Sequence, residues 1–130
     1  MKHLLLSAAV CFTLSLPGFA QSAPLDVAKP VSKAEYAAKV KDLDHAITDG
    51  NTEAAEKLFG EVNTLVNDEM KVIRYKERDA ANEDVRAKYR AVVKQQRGLF
   101  SEVMNLKRGD MAANRAQMIE KLNAFGETIE

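Results

Sequence analysis

The sequence predicts an all-α fold, an antiparallel four-helix bundle made of two helical hairpins in series. Three observations carry that reading. Apolar residues recur at steps of three and four over most of the chain beyond residue 32, the period of helices that bury one stripe. Two pairs, Gly50-Asn51 and Gly109-Asp110, set a residue suited to ending a helix directly before a good N-cap. No stretch alternates apolar and polar residues with the period of two that a half-buried strand requires.

Residues 1–20 read as a signal peptide outside the bundle. Lys2 and His3 make a short polar start, residues 4–16 are mostly apolar, and Pro17 and Gly18 break the run. Gly18 and Ala20 set small residues before a cut after Ala20. The run is too short to span a membrane as a mature helix. Val10 precedes Cys11, where attachment of a lipid would call for a small residue. The expectation is an exported protein, periplasmic or secreted, with no transmembrane segment in the mature chain. Cys11 is the one cysteine, so the mature chain has no disulfide, thiolate metal site or cysteine nucleophile. Its charge is close to balanced once Lys2 is removed, and no bulk field draws it to nucleic acid or membrane. Residues 21–31, with Pro24 and Pro30 and no helical period, read as a disordered leader. The bundle domain is then 32–130.

The first helix starts with a capping box, Ser32-Lys33-Ala34-Glu35, in which the hydroxyl is expected to serve an orphan amide and the Glu to reach back to the cap. Tyr36, Val40, Leu43 and Ile47 follow as its buried row, and Gly50 ends it after about Asp49. Asn51 caps the second helix, with Glu53 and Glu56 near the positive end of its dipole. Ala55, Leu58, Phe59, Val62, Leu65, Val66, Met70 and Ile73 give that helix a broad apolar face. Residues 74–84 contain neither Gly nor Pro, so one continuous rod competes with a turn. A rod would far exceed ordinary helix lengths, and the turn is expected at residues 79–82, where Asp79 or Asn82 can cap the next helix.

The third helix, over residues 85–106, organises the rest. Val85, Tyr89, Val92, Leu99, Val103 and Leu106 form its seam, with Gln96 as the one polar member. A buried amide without partners costs about 1–3 kcal/mol, so Gln96 is expected to be hydrogen-bonded or at the wet margin. Gly109 ends this helix. Asp110 is expected to cap a fourth, whose row is Met111, Arg115, Met118, Leu122, Phe125 and Ile129.

The most coherent charged surface lies on the same third helix. At about 100° per residue, Arg86, Arg90, Lys94 and Arg97 share one stripe well away from the seam. They are the binding candidates, and an ordinary solvated face is the competing explanation. Asp42, His45 and Asp49 share a face of the first helix and form the single metal candidate, a poor cage for want of supporting residues. One mature histidine cannot supply the paired Glu-x-x-His motifs of a di-iron bundle, and no Cys-x-x-Cys-His occurs for covalent haem. No nucleophile has a believable base, and no carboxylate pair falls in the buried rows. The expectation is therefore no enzyme and no cofactor, but a non-enzymatic binding module of the cell envelope. Its candidate partners are a protein, an anionic envelope component or a second copy of the chain. The alternatives are a metal- or haem-carrying bundle and a periplasmic client-binding chaperone. The chain resembles the periplasmic chaperones with an LTxxQ repeat in class alone, and the repeat is absent.

Overall fold

The computed structural model describes residues 29–130. The predicted signal peptide and leader residues 21–28 lie outside the described residues. Four helices follow in order: α1 (Lys33–Thr48), α2 (Thr52–Arg78), α3 (Glu83–Gly109) and α4 (Arg115–Glu127). No strand occurs among the described residues. Each helix packs on its two neighbours around a ring, and the backbones of the diagonal pairs, α1 with α3 and α2 with α4, do not approach closely. Cross-links fix the directions. Lys39 meets Glu61 at 2.6 Å, Lys107 meets Glu56 at 3.1 Å, Lys121 meets Glu102 at 2.8 Å and Arg115 meets Asp44 at 2.6 Å. Taken with the short connections between successive helices and the Tyr36–Leu122 contact between α1 and α4, these links make each neighbouring pair antiparallel, as in an up-and-down four-helix bundle.

Local chemistry sets the boundaries. The Ser32 hydroxyl accepts from the Glu35 amide at 3.2 Å and the Asn51 side chain from the Ala54 amide at 3.1 Å. Gly50 takes φ of 74°, a conformation that costs residues with a Cβ but not glycine. The expected break between the long helices falls where Asp79 follows α2 and Asn82 caps α3, its side chain accepting from the Val85 amide at 3.0 Å. Arg86 closes this turn, donating to the Glu77 and Ala80 carbonyls that end α2 and pairing with Glu83.

Two boundaries need correction. Val31, assigned to the leader, is buried in the main core cluster. It precedes the Ser32 cap and stands five residues before buried Tyr36, the arrangement of a hydrophobic staple, so the packed domain begins before residue 32. The fourth helix starts at Arg115, five residues after Asp110. The Asp110 side chain accepts from the Ala112 and Ala113 amides, which holds residues 111–114 in a separate turn. Asn114 then enters the helix while its side chain donates back to the Leu106 carbonyl at 2.9 Å. Met111 is thus only half-buried, and Arg115 is a half-buried ion-pair partner of Asp44 rather than a core residue.

The core is built from the rows of α1 and α4 with one side of each long helix. Tyr36, Val40 and Leu43 meet Met118, Leu122 and Phe125, together with Val62, Val66 and Val103. The Tyr36 hydroxyl donates to the Leu122 carbonyl at 2.8 Å, and its ring lies 5.7 Å from that of Phe125. Burial pushes the Tyr36 phenol well above its usual range. Along α3 the buried positions are Val93, Gln96 and Val103, while Val85, Tyr89, Val92, Leu99 and Leu106 of the expected seam are half-buried.

Helix length divides the molecule in two. α2 and α3 have 27 residues each, whereas α1 has 16 and α4 has 13. At 1.5 Å per residue the long helices exceed the short ones by roughly 16–21 Å. Residues 69–97 form the α2–α3 hairpin, and among the described residues outside α2 and α3 it is reached by residues at the C-terminal end, through Lys76 with Glu130 at 2.7 Å and Gln96 with Thr128 at 2.9 Å.

Candidate functional site

The hairpin concentrates positive charge. Residues 69–97 hold nine basic and five acidic side chains, while the rest of the described chain holds nine basic and thirteen acidic. The acids of the hairpin are largely occupied. Glu77 and Glu83 pair with Arg90 at 3.1 and 3.6 Å, Asp79 pairs with Arg78, and Glu69 is buried.

The predicted stripe divides into two parts. Arg86 is consumed by the interhelical turn, and Arg90 is held by Glu77 and Glu83 but stays exposed. Lys94 and Arg97 are exposed and make no ion pair with any described residue. The reach of Arg90 to Glu77 shows that this stripe borders α2. Arg74 of α2 follows Glu56 by five full turns, and Glu56 reaches Lys107 of α3, so Arg74 borders α3 along the same outer seam. Lys71 lies one turn earlier and further outward. The register set by Glu77 with Arg90, and by Lys76 over the Tyr89 ring at 5.9 Å, brings Lys71 and Arg74 within about a turn of Lys94 and Arg97. Lys71 and Arg74 also lack ion pairs among the described residues. The outer face of the hairpin therefore presents Lys71, Arg74, Arg90, Lys94 and Arg97 together.

Lys71 and Arg74 escape a reading confined to the third helix. Their phase opposite the Val62 row was visible, but which side of α3 they border is set by packing.

Beneath this face lies a buried polar layer. Gln96 is fully buried and Glu69 is 3% exposed. The Gln96 amide nitrogen donates to the Thr128 hydroxyl at 2.9 Å, and that hydroxyl donates to the Phe125 carbonyl at 2.6 Å. Gln96 Oε1 has no partner. Glu69 lies beside it, and burial raises its pKa against the opposing pull of the Gln96 side chain and Lys76, with Glu130 adding to the rise. A protonated Glu69 can supply the donor that Gln96 Oε1 lacks. Sequence reasoning missed Glu69 although it falls in step, since Val62, Val66, Glu69 and Ile73 are spaced four, three and four.

A buried carboxyl of raised pKa often marks a site of chemistry. This one lines neither described cleft. The larger cleft, about 360 Å³, lies at the opposite end of the bundle between residues 50–52 and 109–112, with Ile47, Ala55 and Lys107 in its wall. Lys107 there is already shared by Glu56 and the Phe59 ring. Asp42, His45 and Asp49 are all exposed on or just past α1. Among the described residues no group of three or more His, Cys, Asp or Glu side chains comes together to hold a metal. No described helix is long and apolar enough to cross a membrane. Compared with known families, curated proteins and solved structures, the chain matches none.

Proposed function

We propose that this chain is a non-enzymatic binding module of the cell envelope that engages an anionic partner through the outer face of the α2–α3 hairpin. One observation carries the reading. Lys71 and Arg74 of one helix converge with Lys94 and Arg97 of the next, all four without ion pairs among the described residues. Four of the five acids of the same region, Glu77, Asp79, Glu83 and Glu69, are paired with arginines or buried, and Asp84 is exposed. A solvated helix face ordinarily intersperses the two signs. Four unpaired cations drawn from two helices leave a positive field that an anion can relieve. Export to the envelope belongs to this proposal through the pattern of residues 1–20.

Binding of this kind is screened over roughly 8 Å at physiological salt and falls as salt rises. Titration of a soluble polyanion, dextran sulfate, into the protein tests it. The expected result is binding at low salt that weakens several-fold between 50 and 200 mM salt, by rough analogy with other polyanions. Lys94→Glu with Arg97→Glu should abolish it and leave the helical circular dichroism intact. Binding unaltered by that double substitution means the face is only solvated.

A further inference from the structure

We infer that the partner of this face is the surface of an anionic phospholipid bilayer, a step that rests on the reading above. Five cations, Lys71, Arg74, Arg90, Lys94 and Arg97, come from two antiparallel helices whose packed outer sides offer a broad face rather than a groove. Most residues of α3 that share this outward side are small: Ala87, Ala91 and Gly98 are exposed, with the exposed carboxylate of Asp84 at the turn end of the stripe, and a Cβ built at Gly98 meets nothing within 4 Å. Neither described cleft opens on it. An acidic peptide needs a groove or an apolar anchor to be held in place, and this face offers neither. A bilayer surface needs neither, since it presents its phosphates in a plane and attracts each nearby Lys or Arg additively.

The charge distribution supports the same partner. A hairpin of net +4 joined to a remainder of net −4 gives the molecule a long axis of charge. An extended negative surface attracts the hairpin and repels the rest of the molecule, and the side-on cations set which face of the hairpin meets it. With no large apolar residue on the face, the protein rests on the headgroups without inserting, and its attachment is reversible by salt.

Vesicle co-sedimentation of the full chain tests this. The readout is the ratio of binding to phosphatidylglycerol-containing vesicles over pure phosphatidylcholine vesicles, which removes any charge-independent contribution from the rest of the chain. The expected ratio is well above one at low salt and close to one at about 0.5 M salt, where the Debye length is only a few ångströms. Each cation contributes roughly a fivefold factor, so Lys94→Glu with Arg97→Glu should lower the ratio by at least about 25-fold. Lys41→Glu, on exposed α1 surface away from the hairpin, should lower it far less. A ratio near one for the folded wild-type chain at low salt overturns the inference, as does a ratio indifferent to the double substitution. If dextran sulfate still binds through Lys94 and Arg97 while the vesicles do not, the anionic-partner reading stands and the bilayer is wrong. If neither binds, both fail.

Discussion

The two ends of this molecule solve the problem of burial differently. At the four-helix end every helix has two neighbours, and Tyr36, Leu43, Leu122 and Phe125 are enclosed from all sides. Along the hairpin, α2 and α3 have mainly each other. Ile73 and Val93 are buried there, but Met70, Val72, Tyr75, Val85, Tyr89 and Val92 remain half-exposed. The hairpin compensates with polar devices: the Asn82 cap, the Arg86 clasp on the end of α2, the Arg90 bridge to two acids and the Lys76 link to Glu130. Such contacts are individually weak at a surface, so the hairpin is expected to open locally at a lower free energy than the bundle below it. What it gains is a face free of the other described helices, and the cations without ion pairs among the described residues lie there.

The largest expected effect tests the contrast directly. Leu122→Ala, at a fully buried site of the four-helix end, should cost about 2–5 kcal/mol in denaturant unfolding. Val85→Ala, on the half-exposed hairpin, should cost less than about 1 kcal/mol. Comparable losses would show that the hairpin is as tightly buried as the bundle and that the division into two ends is mistaken.

The polar layer where the ends meet comes next. The carboxyl of Glu69 titrates above the ordinary glutamate value of 4.5, chiefly through burial. The folded state therefore holds this proton more tightly than the unfolded chain. Its contribution to stability is fully present below about 4.5 and declines as pH rises through the raised folded value. Glu61, Asp79 and Glu130 act in the opposite sense, since their partners Lys39, Arg78 and Lys76 hold them below the usual range. The wild type should thus lose thermal stability from mild acid toward neutral pH. Glu69→Gln, which offers Gln96 Oε1 a donor at every pH, should remove that decline. An unchanged pH profile in this variant would dissociate Glu69 from the effect. Replacing both Glu69 and Gln96 by Leu should leave stability unchanged or raise it, because no buried polar group is left unpaired.

A smaller effect concerns the interhelical turn. Arg86→Ala removes two donors from the carbonyls ending α2. It should cost about 1 kcal/mol, and hydrogen exchange should quicken at residues 74–90 while amides of α1 and α4 stay protected. Global quickening would mean that the hairpin does not open on its own.

The glycines give effects of opposite sign. A Cβ at Gly98 meets open space, whereas one at Gly126 lies 3.1 Å from the Tyr36 ring. Gly98→Ala should stabilise α3 by about 1 kcal/mol. Gly126→Ala should destabilise by a similar amount, because its hydrogen bond to Leu122 and its packing on Phe125 keep Tyr36 from giving way. Thermal melting of the pair checks both signs.

Much of the fold is legible from local rules. The number of helices, the caps at Ser32, Asn51 and Asn82, the left-handed Gly50 and the row of α1 all follow from interactions within a few residues of one another, which a sequence displays. Phase along one helix likewise separates the Arg90, Lys94 and Arg97 stripe from the core. Val31 was hidden because a single valine beside Pro30 has no period to announce it, and the late start of α4 because Asp110 can cap a helix or close a tighter turn with the same side chain. Other features belong to distant segments. That Gln96 meets Glu69 and Thr128, that Lys71 and Arg74 fall beside Lys94 and Arg97, and that the long hairpin outruns α1 and α4 depend on the register between helices. Register is fixed by how ridges of side chains interlock across the core, and no residue carries that information by itself.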